Sequence, residues 1–87
     1  MYPIDTPHQL RIILRALRIA RGLTQEELGQ RVGVSQKRIA RIEAAPELTS
    51  YDQLARMVNA LGGRLWLAES AHRVTEAAPI AEGADTW

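Results

Sequence analysis

The chain has 87 residues, no cysteine and a formal net charge of +1, a length that holds one domain whose small core gains from a partner subunit. Without cysteine there are neither disulfides nor thiolate metal sites, and the longest apolar runs are too short to cross a bilayer. The leader "MYPIDTPHQL" has no charged stretch followed by an apolar one, so no secretory signal is read and a soluble, cytoplasmic protein is expected. The charge is unevenly spread: residues 1–45 carry eight Lys and Arg against four Asp and Glu, and residues 46–87 carry three against six. The electrostatic footprint therefore lies in the first half.

Thr6-Pro7-His8-Gln9 reads as the start of a first helix. Thr6 is the N-cap, Pro7 sits where its missing N–H costs nothing, and Gln9 closes a capping box. The helix runs to about Arg21, with Gly22 as a left-handed stop. Leu10, Ile13, Leu14, Leu17 and Ala20 recur at i, i+3, i+4 and i+7 and form a core stripe. Opposite that stripe lie Ile12, Ala16 and Ile19, and Arg11, Arg15 and Arg18 form a basic strip between the two. A second capping box, Thr24 to Glu27, opens a short helix that turns Leu28 and Val32 inward and ends near Gly33. Ser35 caps a third helix, "QKRIARIEA", which Pro46 terminates within a few residues. Thr49 or Ser50 caps a fourth, "SYDQLARMVNAL", with Leu54, Met57, Val58 and Leu61 on one face and Gly62-Gly63 as its stop.

After the two glycines, "RLWLA" (64–68) alternates in character and reads as a strand. A lone strand leaves backbone groups unpaired, which implies a partner strand from a second copy and places Leu65, Trp66 and Leu67 at a homodimer interface. The last stretch, "SAHRVTEAAPIAEGADTW", has no apolar periodicity and is expected to be a mobile tail.

The third helix carries the argument about function. At 100° per residue Ile39 and Ile42 point together toward the core, which leaves Gln36, Lys37, Ala40 and Arg41 on the opposite side. Such a face is ordinarily a solvated surface. Two short helices joined around Gly33-Val34-Ser35 nevertheless match a helix-turn-helix, whose second helix enters the DNA major groove. There Gln pairs with adenine edges and Arg or Lys with guanine, while Ala40 lets the helix approach or touches a thymine methyl.

The stretch "LRIARGLTQEELGQRVGVSQKRIARIE" resembles the helix-turn-helix of the phage-repressor-like, or XRE, family, whose pattern is roughly LRxxxGLTQxxLAxxxGVSQxxIxxxE. The resemblance spans about residues 9–61. It implies an all-α fold, a compact four-helix, lambda-repressor-like domain; with the strand and tail read above, the domain is expected over 1–70, its short C-terminal strand pairing across a homodimer, and a flexible tail over 71–87. It further implies that Gln36, Lys37, Ala40 and Arg41 read bases, and that Gln25, Arg38, Thr24 and Ser35 meet the DNA backbone, with Gln25 also supporting Gln36. Arg18 and Glu43 match a pair that ties the first helix to the third. Gly29 and Ala40 depart from the pattern, which favours Ala and Ser there, and Gly29 is expected to weaken the second helix by up to about 1 kcal/mol.

A narrower resemblance, carried by the leader "YPIDTPHQL", the segment "LGGRLWLAE" and a tail ending in Trp, is to the HipB-like antitoxins. It implies a dimer that represses its own operon at a palindromic operator and neutralises a HipA-like serine/threonine kinase toxin. The alternatives are a free-standing XRE-family repressor and a protein-interaction adaptor. Ile12, Ile19 and Trp87 are the candidate toxin contacts, and Tyr51 either meets a phosphate or packs against the third helix. No cofactor, metal site or catalytic group is expected. His8 and His72 have no carboxylates at ligand spacing, Glu26 and Glu27 diverge by 100° on their helix, and Gly62-Gly63 is followed by no helix start that would make it a phosphate cradle.

Overall fold

The computed structural model describes residues 1–69, which form four α-helices and one short 3₁₀ turn. Helix α1 spans Pro7–Ala20, α2 Gln25–Val32, α3 Gln36–Ala44 and α4 Tyr51–Ala60, with the 3₁₀ turn Pro46–Leu48 between α3 and α4. Isolated helices of this length are marginal, so their ends and their packed faces decide whether they form. Each start is capped as its sequence dictates. Thr6 accepts the Gln9 N–H at 3.2 Å while the Gln9 side chain accepts the Thr6 N–H at 2.9 Å. The same reciprocal pair joins Thr24 and Glu27 at 3.0 and 2.8 Å. Ser35 accepts from the Arg38 N–H at 3.1 Å, and Ser50, rather than Thr49, caps α4 through the Gln53 N–H at 3.2 Å.

Leu14, Leu28, Val32, Ile39, Ile42, Met57, Val58 and Leu61 form one buried cluster, with Leu10, Leu17, Leu23, Val34, Leu54 and Leu65 packed around it. Every helix contributes, and each buried aliphatic side chain stabilises the fold by about 1.5–3 kcal/mol relative to exposure. Two expectations for α1 are corrected. Ala20 is exposed, because it is the last residue of the helix and the chain turns away at Arg21-Gly22. Arg18 is not part of a solvated basic strip, because its side chain turns inward onto α3.

The turn between α2 and α3 sets the angle at which α3 is presented. Gly33 lies at φ 90°, a left-handed conformation that favours glycine. Its N–H and that of Val34 both donate to the Gly29 carbonyl, at 2.7 and 2.9 Å. Gly29 is buried directly beneath this turn, and a Cβ there would stand 2.6 Å from the Val34 carbonyl oxygen. The expectation that Gly29 merely weakens α2 is therefore corrected: the missing side chain lets the turn close onto the helix. Pro46 ends α3 as expected but also opens the 3₁₀ turn, which the sequence reading did not anticipate, and is itself buried.

Residues 63–69 carry no regular secondary structure within the single chain. Leu65 rests against the core, whereas Trp66 and Leu67 are 70% and 97% exposed. The tail 71–87, with Trp87, lies outside the described residues.

Candidate nucleic-acid interface

The α2–turn–α3 unit presents α3 with Ile39 and Ile42 locked in the core, which fixes the rotation of the helix about its own axis. Gln36, Lys37 and Arg41 are exposed and Ala40 is half-buried, so the expected reading face is a polar surface with one small residue in it, and Ala44, one turn beyond Ala40, is exposed as well. Thr24 and Ser35, at the starts of α2 and α3, are exposed, and each hydroxyl oxygen accepts a backbone N–H. That arrangement leaves the Ser35 hydroxyl proton free to donate outward, whereas the Thr24 hydroxyl also serves the Glu27 carboxylate.

Arg38 stands apart from the rest. It is half-buried, and its Nε donates to the Gln53 side chain of α4 at 2.8 Å. Its guanidinium is therefore held at the α3–α4 junction, beside the reading face rather than within it, with its two terminal nitrogens unpartnered among the described residues.

Behind α3 lies the one buried charge cluster among the described residues. Glu43 receives Arg18 at both oxygens, 2.5 Å from Nε and 3.2 Å from Nη2, and Gln25 donates to it at 3.1 Å. A single carboxylate thus joins α1, α2 and α3, and the same Arg18 ties in the α1–α2 turn by donating to the Leu23 carbonyl at 2.9 Å. The Arg18–Glu43 tie is present as the resemblance implied. Gln25 is half-buried with its amide on Glu43, and it makes no hydrogen bond to Gln36. A further tie was not legible in advance: Arg21, at the end of α1, donates from Nε to the Leu61 carbonyl at 2.8 Å, satisfying an orphan group at the C-terminus of α4. Its only sequence signal is a cation near a helix end.

Glu27 has its carboxyl held below the usual range, first by the Thr24 backbone N–H, then by the Thr24 hydroxyl and the nearby Arg31 charge. Tyr51 is 72% exposed. Ile12 and Ile19 are both more than half exposed. Leu48 is exposed as well and was not singled out from the sequence. Among the described residues no three His, Cys, Asp or Glu side chains gather as a metal site would require, and no helix is long and apolar enough to cross a membrane.

Two short helices joined by a glycine turn, with an inward-locked second helix showing a polar outer face, define a helix-turn-helix domain. The chain belongs to the helix-turn-helix domain family, whose model matches residues 9–64. Solved structures similar to it include a HipB–O4 20mer complex, at 26% identity and TM-score 0.73, covering 80% of this chain and 99% of HipB. A complex of a HipB serine-to-alanine variant with an O2 20mer is alike at the same identity and TM-score, covering 80% of this chain and 97% of the other. The chain is thus HipB-like in fold and sequence. No curated protein sequence matches it.

Proposed function

We propose that the protein is a dimeric DNA-binding repressor and the antitoxin of a HipBA-type pair, which binds a palindromic operator of its own operon and neutralises a HipA-like serine/threonine kinase toxin in the cytoplasm. The observation that carries the DNA reading is the outer face of α3, where Gln36, Lys37 and Arg41 stand exposed around the small Ala40. A helix inserted in the major groove needs donors and acceptors of this kind. Gln36, Lys37, Ala40 and Arg41 read base edges in this reading, and Thr24, Gln25, Ser35 and Arg38 meet the backbone. The similarity to HipB in complex with O4 and O2 20mers supports the operator as partner.

The dimer in this reading forms through residues 64–68, where Trp66 and Leu67 are exposed in the single chain. Pairing two such segments would bury those side chains and satisfy the backbone groups of each. Neutralisation of a kinase rests on the likeness to HipB and on the exposed Ile12 and Ile19 of α1, with Trp87 a further candidate contact.

Mobility shifts on the DNA upstream of the gene test the reading. Arg41→Ala removes a base contact worth about 1–3 kcal/mol and relaxes preference at one position of each half-site, whereas Arg38→Ala weakens all sequences alike. Equal loss on operator and random DNA for Arg41→Ala refutes its reading role. The kinase arm is tested by co-purification with the product of the neighbouring gene.

A further inference from the structure

Beside the reading face an open groove of about 370 Å³ runs between the first half of α1 and the outer side of α3. Its α3 wall is Ala40 and Ala44, so no long side chain closes it. Its α1 wall carries His8, Arg11 and Arg15, with the exposed Ile12 between the two arginines. Ala40 belongs to both the groove and the expected reading face, so a duplex seated on α3 brings a sugar-phosphate strand to the groove's mouth.

The charge of the groove differs from what its lining residues suggest at first sight. Glu43 lies at its floor, but both carboxylate oxygens are taken by Arg18 and Gln25. Arg11 and Arg15 have no carboxylate partner among the described residues, and Arg15 is exposed. The Arg11 Nη2 lies 3.2 Å from the His8 Nδ1. Since a guanidinium only donates, Nδ1 is the acceptor there and the ring proton sits on Nε2, which adds a donor to the same wall. Arg11 and Arg15 are one helical turn apart, about 6 Å along the axis, on the same side of α1.

We infer that this groove is a second phosphate grip: Arg11 and Arg15, with His8 beside them, hold the sugar-phosphate backbone of the strand that borders the groove occupied by α3. The inference rests on the DNA reading above and extends it to a helix outside the helix-turn-helix. The grip is indifferent to sequence, because it touches no base edge. Two phosphates neutralised by these arginines release about two counterions, which lowers the slope of log affinity against log salt by about 0.9 each.

The test uses the full chain and two duplexes of equal length, one carrying the operator and one of random sequence, titrated by fluorescence anisotropy between 50 and 200 mM salt. Arg11→Gln with Arg15→Gln, which keeps good helix formers at both positions, is expected to weaken both duplexes alike. It should also make the affinity loss across that salt range roughly tenfold smaller than in the parent. Arg11→Lys with Arg15→Lys restores most of the salt slope, and circular dichroism confirms that both variants are folded. An unchanged salt slope in the Gln variant, with the parent binding DNA and Arg41→Ala losing selectivity, overturns the grip alone and leaves the groove to an acidic protein partner. A parent that binds neither duplex overturns the DNA reading and the grip together.

Discussion

Replacing Glu43 by Ala removes the carboxylate on which α1, α2 and α3 converge, and the structure sets the size of the effect. Three donors lose their acceptor: Arg18 Nε, Arg18 Nη2 and the Gln25 amide. The stranded Arg18 side chain is only 12% exposed and keeps a single bond, to the Leu23 carbonyl. Breaking a buried ion pair from one side costs about 3–5 kcal/mol. The low end applies, because a guanidinium at that depth reaches water by a small rotation. A domain of this size has a total stability of about 3–9 kcal/mol, so Glu43→Ala should remove about a third of it or more at 25 °C. Arg18→Met combined with Glu43→Leu removes both charges and retains similar volume, and should cost no more than about 1 kcal/mol, since a buried pair replaced by apolar side chains is often neutral. Urea unfolding followed by far-ultraviolet circular dichroism, at fixed protein concentration, measures both. The reasoning is refuted if Glu43→Ala lies within 1 kcal/mol of the parent, or if the double variant is as unstable as the single one.

Gly29→Ala gains about 1 kcal/mol of helix propensity but forces a Cβ to within 2.6 Å of the Val34 carbonyl. Overpacking of that kind costs about 1–3 kcal/mol, so a net loss of stability and weaker operator binding are expected. A raised unfolding midpoint would show that the turn moves freely. Leu67→Asp, at a side chain 97% exposed in the single chain, should leave the subunit folded and yield monomers by sedimentation, with binding to a two-half-site duplex lost. An unchanged sedimentation coefficient at micromolar concentration rules out that interface. Because Glu27 titrates below its ordinary value, the stability it lends is fully present above the usual Glu range and is lost as pH falls through the lowered value. The difference in thermal midpoint between the parent and Glu27→Gln should therefore be present at pH 6 and shrink as the pH falls below the ordinary Glu range; a difference independent of pH would contradict the Glu27 charge as its source.

The local syntax of the fold was legible residue by residue. Thr6, Thr24, Ser35 and Ser50 cap helices because a short side-chain oxygen reaches the N–H two or three residues on, whatever the rest of the chain does. Leu14, Leu28, Val32, Ile39, Ile42, Met57, Val58 and Leu61 were readable as core because a 3.6-residue period forces apolar positions onto one side. The same period placed Gln36, Lys37 and Arg41 outward. Other features depend on distances between elements that no local pattern encodes. Arg18 and Arg15 look equivalent on the helix, yet only Arg18 faces a carboxylate 25 residues away. Arg21 meets the end of α4, and Arg38 meets Gln53, through folding alone. Gly29 reads as a flaw in a helix until the turn that follows is seen lying on it. The basic groove is likewise a tertiary product: its arginines lie on α1 and its open wall on α3, and Glu43 is neutral to it only because Arg18 and Gln25 arrive from two other directions. Propensity and periodicity act within a turn or two of helix, whereas charge pairing and close approach act through space, and that is the boundary between what the chain announces and what its packing decides.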